Sequence, residues 1–249
     1  MRGAATLGDR ILMVLAPLLG GGGLLLLAAW PRGLLDLHLG DGAALAWDAL
    51  LSCAFFLQHS LMVRRPVKAR LARHVPARQV AAIYSVASGL VLGLVVVLWQ
   101  PTGARLATVA GPARWIGLAL TALALAGFAW GVASLRGFDA FGDRALRRHA
   151  LGEPERPPVL MIRGPYRWVR HPLYLFALIL FWSNLDLTAD RLLFDVLWTA
   201  WIVAGTMLEE RDLVAELGAP YREYQRRVPM LLPWRRPAEA TPPPARLGG

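Results

Sequence analysis

Residues 171–210 read "HPLYLFALILFWSNLDLTADRLLFDVLWTAWIVAGTMLEE". Two apolar runs, 172–187 and 192–208, flank a short polar link, and each is bounded by charge at its far end. Pro172 suits the first turn of a helix, and the residue before a proline is biased toward extended backbone, so His171 marks the helix entry. A helix over 172–187 is about 24 Å long at 1.5 Å per residue. The short link turns the second run back antiparallel, making a hairpin. Its open ends, "YRWVRHP" entering and "LEERDL" leaving, therefore emerge side by side, which brings Arg170 and His171 next to Glu209 and Glu210.

Working outward, four further apolar windows of bilayer length run over 11–30, 43–63, 80–99 and 113–135. With 56% hydrophobic residues and a mean hydropathy of +0.43, the pattern predicts an all-α, polytopic integral membrane helical bundle. About six transmembrane helices are expected, the last two forming a C-terminal helical hairpin that carries a cofactor site. The first window also reads as a signal peptide, because "LLLLAAW" offers small residues near its end, and the Gly20–Gly23 run weakens it as a helix.

The net charge of +10 follows the positive-inside rule. With the N- and C-termini cytoplasmic, every Lys and Arg except Arg32, Arg105, Arg114 and Arg191 falls on the inner side. The excess charge is topology, with the lipid bilayer as partner, and no nucleic-acid role is needed. The single cysteine, Cys53, excludes an intramolecular disulfide and a multi-cysteine metal site, and no metal is expected. Three regions are predicted: a four-helix membrane region over 1–135, a catalytic loop, hairpin and cytoplasmic motif over 136–234, and a disordered, Pro-rich tail over 235–249. The loop 136–162, rich in Gly and Pro, is a candidate lid in which Phe138, Phe141 and Leu160 would shape an acceptor pocket.

The hairpin's open end has a chemistry of its own. The start of a helix and Arg170 favour an anion, while Glu209 and Glu210 accept hydrogen bonds from an ammonium or from ribose hydroxyls. An amino-acid-bearing cofactor carries both signs. Taken singly, these residues are also ordinary snorkelling or paired groups at helix ends. The ordered series Gly164-Pro165-Tyr166, Arg170-His171-Pro172, Tyr174, Glu209-Glu210-Arg211, Tyr221, Tyr224 and Val228-Pro229 is harder to assign to topology alone.

This block, "GPYRWVRHPLY … EERDL … YREYQRRVPMLLP" over residues 163–233, resembles the membrane methyltransferase superfamily that includes isoprenylcysteine carboxyl methyltransferase and the phospholipid N-methyltransferases. The resemblance implies S-adenosyl-L-methionine at the cytoplasmic ends of the last helices. It places Gly164, Pro165, Tyr166, His171, Pro172, Tyr174, Glu209 and Glu210 at the cofactor, with Arg170 orienting the acceptor. "QHSLMVRRPVKARLARHVP", "IYS" and "LWQP" in the N-terminal half resemble the methanethiol S-methyltransferases. That implies a bacterial inner-membrane enzyme that converts methanethiol, a small lipophilic thiol, to dimethyl sulfide. Other acceptors stay open within the same fold: a prenyl-cysteine, a lipid amine or another lipophilic group. A related His-Ser stretch occurs in a haem-dependent carotene isomerase family and its denitrification-associated bacterial relatives, in which His59 and His171 would ligate haem. In the methyltransferase reading His59, about one turn from the inner end of its helix, joins Arg170 and His171 as a catalytic candidate.

Overall fold

The computed structural model describes residues 5–29, 33–135, 139–154 and 160–240. Among them the chain forms α1 (Leu7–Ala29), α2 (Asp41–Val63), α3 (Arg65–Leu71), α4 (Val80–Leu98), α5 (Arg114–Ser134), α6 (Asp143–Leu151), α7 (Pro172–Phe181), α8 (Ala189–Leu217) and α9 (Ala219–Arg227). A short antiparallel pair, β1 (Arg105–Ala107) with β2 (Leu187–Thr188), joins the connection after α4 to the start of α8. Helices α1, α2, α4, α5 and α8 are long and apolar enough to cross a bilayer. The chain is a multi-pass integral membrane protein.

The helix expected over 172–187 covers only Pro172–Phe181, ten residues, or about 15 Å. Two side-chain bonds, one local and one from another helix, account for its stop. Ser183 turns its hydroxyl back to the Leu180 carbonyl at 2.7 Å and accepts a hydrogen bond from Thr121 of α5 at 2.8 Å. Such side-chain bonds compete with the helical ladder. The return helix, by contrast, runs well past its apolar stretch, because "EERDLVAEL" supplies straight-chain helix formers up to Gly218.

Two compact units interleave along the chain. The first contains Met1–Thr108, Phe138–Pro157 and Asp186–Trp201; the second contains Val109–Gly137, Pro158–Leu185 and Ile202–Gly249. Helix α8 contributes its first half to one and its second half to the other.

In the first unit α1 packs along α4, α2 packs on α4, and α6 lies against α1. Thr6 and Asp9 cap α1 reciprocally, backbone amide to side-chain oxygen in both directions, at 2.9 and 3.2 Å. The buried Asp9 carboxylate also accepts two bonds from Arg78, at 3.1 and 3.0 Å, and one from Gln79 at 2.8 Å, tying the start of α1 to that of α4. Pro17 lies inside α1 and cannot donate to Met13, so that carbonyl needs another partner; Arg147 of α6 supplies it at 3.4 Å. Gly23 of α1 and Gly89 of α4 serve packing: at Gly89 an added Cβ would meet the Leu19 backbone, and at Gly23 it would lie 3.1 Å from the Gly89 carbonyl. Close backbone approach through small residues is how membrane helices associate without a hydrophobic drive. Phe141, expected at an acceptor pocket, packs instead in this unit on the cluster of Ala16, Ala82 and Leu146. Phe138 lies outside the described residues.

The "LWQP" stretch builds a polar lock in the same unit. Gln100 donates to the Leu35, Leu98 and Trp99 carbonyls and accepts from the Leu37 amide at 2.8 Å. Asp190 at the start of α8 accepts from the Thr102 amide and hydroxyl at 3.0 and 2.8 Å, and from the Trp99 indole at 3.3 Å. Buried polar groups need such partners, and here they join α4 to the first turn of α8.

In the second unit α5 packs on α7 and on the 3-10 turn Gly164–Arg167. Gly164 has φ +53°, and a Cβ there would strike Ser134 of α5, so both the backbone and the crowding call for glycine. The C-terminal end also docks here. The Ala238 amide donates to the Arg167 carbonyl at 2.9 Å, and Arg167 Nε donates to the Ala238 carbonyl at 2.6 Å. Ala238, within the stretch read from sequence as a disordered tail, is thus paired with Arg167; 241–249 lie outside the described residues.

Candidate active site

The site in the second unit is built where the entry to α7 meets the second half of α8 and α9. Its backbone frame comes first: the Arg170 and His171 amides donate to the Pro229 and Met230 carbonyls at 2.9 and 3.1 Å, holding "RHP" against the chain after α9. Tyr221, Tyr224 and Val228 recur at helical spacing and bury one face of α9 with Leu160, Ile162 and Leu213 around it. The Tyr224 hydroxyl donates to the Tyr166 carbonyl at 2.6 Å. Leu160, expected near the acceptor, belongs to this packing.

Glu210 is the hub. Its Oε1 accepts from Arg170 Nε at 2.7 Å, from the Tyr221 hydroxyl at 2.9 Å and from His171 Nε2 at 2.8 Å. Its Oε2 accepts from Arg170 Nη2 at 2.7 Å and from Gln225 Nε2 at 2.6 Å. A carboxylate has about four lone-pair positions, so Glu210 is saturated by the protein itself. Arg170 spends its remaining Nη1 donors on the Gln225 carbonyl at 3.2 Å and on that of Val228. Among the described residues four of its five N–H bonds are thereby engaged, one Nη2–H being left over. Burial, and then the neighbouring Glu210 charge, push the Tyr221 phenol above its ordinary range, so it stays a neutral donor.

Glu209 differs. Its side chain is 44% exposed against 9% for Glu210, and it accepts from the Tyr174 hydroxyl at 2.7 Å. The Tyr174 ring stacks on His171 with centroids 5.6 Å apart and planes 5° from parallel. Burial and the Glu209 charge together raise the Tyr166 phenol. With a carboxylate on Nε2, the proton of a neutral His171 belongs on that nitrogen. Nδ1, 4.0 Å from Glu209 Oε2, then presents a lone pair on the Glu209 side.

His59 belongs to the first unit and has a different setting. Its ring sits 5.2 Å from Phe55, 5.2 Å from Trp201 and 5.1 Å from Tyr84, centroid to centroid. The Tyr84 hydroxyl lies 2.7 Å from Nε2 and 3.1 Å from Nδ1. The Trp201 indole donates to Ser60 at 3.2 Å, and Phe56 stacks on Trp201 at 4.8 Å. Thus each residue of "QHS" has a structural partner, Gln58 reaching Met62 Sδ and Ser88 at 3.1 and 3.4 Å.

Of the residues expected from sequence, Arg170, His171 and Glu210 form one hydrogen-bonded set, and Tyr174 with Glu209 forms a second beside it, the Tyr174 ring stacking on His171. Tyr166 adjoins it, and Gly164, Pro165 and Pro172 shape its backbone. Sequence reasoning missed Gln225 as a partner of Glu210, although its four-residue spacing from Tyr221 puts both on one helix face. It also quoted "IYS" without giving Tyr84 a role.

The NnrU protein family matches residues 49–225, which spans both sites. The chain belongs to the NnrU family. Relatives include a methanethiol S-methyltransferase of a Pseudomonas species, 40% identical over 80% of this chain and 79% of its own length. Another protein of that name, from Mycobacterium tuberculosis, is 35% identical over 78% of this chain and 80% of its own length. Nurim of Mus musculus is 31% identical over 80% of both chains. No solved structure matches. The likeness of the C-terminal block to membrane methyltransferases is in keeping with these NnrU relatives.

Proposed function

We propose that this NnrU-family protein is an S-adenosyl-L-methionine-dependent membrane methyltransferase that methylates a small thiol, methanethiol, to give dimethyl sulfide. The observation that carries the reading is the division of labour at 209–210: one carboxylate is saturated and rigid, and its neighbour stands open beside Tyr174 and His171. That is the donor set a zwitterionic cofactor requires. Relatives bearing the methanethiol S-methyltransferase name support it.

The residues fit the cofactor. Glu209 would accept from its ammonium or ribose hydroxyls, with the Tyr166 and Tyr174 hydroxyls alongside. The first turn of α7 and the remaining Arg170 N–H would meet its carboxylate. When bound, the cofactor supplies an electrophilic methyl on sulfonium. The protein's tasks are to align the acceptor, exclude water and remove a proton. A cysteine-like thiol titrates near about 8.5, so a base raises the thiolate fraction at neutral pH; His171 Nδ1 and His59 are the candidates. Arg170 acts through Glu210, holding His171 in place. The positive-inside pattern of the basic residues supports cytoplasmic termini and the bacterial relatives support an inner membrane, with the acceptor reaching the site through the bilayer.

Calorimetry with S-adenosylhomocysteine on detergent-purified protein, with an optical spectrum of the same sample, tests this. Micromolar binding, no Soret band and headspace dimethyl sulfide from methanethiol are expected. A strong Soret band with no binding would overturn the reading and make His59 and His171 haem ligands.

A further inference from the structure

Helix α3 of the first unit owes little to packing. It follows α2 directly, the chain turning at Arg64, whose φ of −70° and ψ of 138° are extended. The 23 residues of α2 make about 34 Å of helix against a hydrocarbon core of about 30 Å, so α3 begins at headgroup depth. It has seven residues, "RPVKARL", and none of them is buried. Helices shorter than about 12–15 residues are marginal in water by themselves, and this one lacks the apolar burial that would hold it. The basic helix α6 of the same unit shows the contrast. Its Leu146 is wholly buried with Ala16 and Ala82, Asp139 accepts from its Arg144 and Ala145 amides at 3.2 and 2.8 Å, and Arg147 pairs with Asp143 at 3.0 Å.

The side chains of α3 are sorted by chemistry. Val67 and Leu71, one helical turn apart, share an edge and are half-buried, whereas Lys68, Arg70 and Arg73 are exposed. Lys68 and Arg70 flank the apolar edge at about 60° to either side. Residues 64–79 include Arg64, Arg65, Lys68, Arg70, Arg73 and Arg78 and contain no Asp or Glu. Asp9 takes Arg78, and among the described residues no ion pair engages Lys68, Arg70 or Arg73. We propose that α3 is an interfacial helix that binds anionic phospholipid, its Val67–Leu71 edge in the acyl boundary and Lys68, Arg70 and Arg73 on the headgroup phosphates. A narrow apolar edge between basic flanks is the form of a helix lying in the membrane surface. Long basic side chains lay their stems along the apolar boundary and carry the charge out to the phosphates. A basic cluster immediately beyond a spanning helix draws anionic lipid.

Hydrogen exchange, read by mass spectrometry on the full-length protein in nanodiscs, tests this without reference to activity. The helical amides of Lys68 and Ala72 donate to the Arg64 and Lys68 carbonyls, and their exchange follows the opening of α3. In nanodiscs of equimolar phosphatidylcholine and phosphatidylglycerol they are expected to exchange about tenfold or more slowly than in phosphatidylcholine alone. High salt should remove most of that difference. The combined variant Lys68→Gln, Arg70→Gln and Arg73→Gln should exchange equally in both lipids, with the α4 amides as slow as in the wild type, which shows that it is folded. Equal exchange of wild-type α3 in the two lipids would overturn the inference, as would a lipid difference that the variant retains. Inorganic phosphate giving the same protection in phosphatidylcholine nanodiscs would make this a site for free anions and overturn the lipid as its occupant.

Discussion

His171 and His59 are the same side chain in opposite surroundings. His171 is held by charge: a buried carboxylate on Nε2, and an arginine, a tyrosine and a glutamine on that same carboxylate. His59 is held by packing, with Phe55, Trp201 and one hydroxyl about it. The charged set fixes orientation through short directional bonds, so removing one member leaves others buried and unmatched. The aromatic set is held by contact area, in which one ring's loss is partly absorbed by its neighbours. The first design suits the proposed cofactor, which carries both signs; the second is an aromatic packing cluster.

The comparison breaks most severely at Glu210. Glu210→Ala leaves Arg170 buried without its partner, at a cost of about 3–5 kcal/mol. Thermal unfolding in detergent should show a lower melting temperature, with loss of S-adenosylhomocysteine binding. On the aromatic side, Trp198→Ala empties the space where Phe55 and Phe194 stack at 5.2 and 4.8 Å. It should cost about 3 kcal/mol or more in stability. Here S-adenosylhomocysteine affinity in calorimetry should stay within about twofold, since the charged set is untouched; a larger loss would mean that the charged set does not stand by itself.

Glu209→Gln sharpens the contrast within the charged set. It should leave the melting temperature alone and weaken S-adenosylhomocysteine binding about tenfold or more, the worth of a hydrogen bond to a charged group. Tyr174→Phe removes one hydroxyl from Glu209. A change of only a few-fold in the same affinity is expected, because the stacking on His171 is kept.

Parts of this organisation were legible in residue order and others were not. The span positions of α1, α2, α4 and α5 followed from apolar length, since a bilayer demands about 20 apolar residues of any helix that crosses it. Arg170 and His171 do meet Glu210, with Glu209 beside them, as expected, although α7 is too short to form the matched hairpin from which the meeting was expected. Composition cannot see where a helix ends for tertiary reasons, which is why α7 stops at Phe181: Ser183 is claimed by Thr121 from another helix. The Gly20–Gly23 run read as a weakness, yet Gly23 lets the α1 backbone approach that of α4.

By itself, then, the sequence determined the membrane class, most of the spans and the ends that carry charge, because those depend on local apolarity and chain connectivity. The tertiary structure decided which of two adjacent glutamates is locked and which is open, since Gln225 and Tyr221 reach Glu210 from another helix. It also decided that Tyr84 stands on His59, a pairing across 25 residues that no spacing along either helix encodes. Side-chain partnership between helices is set by their packing, and only the folded chain contains it.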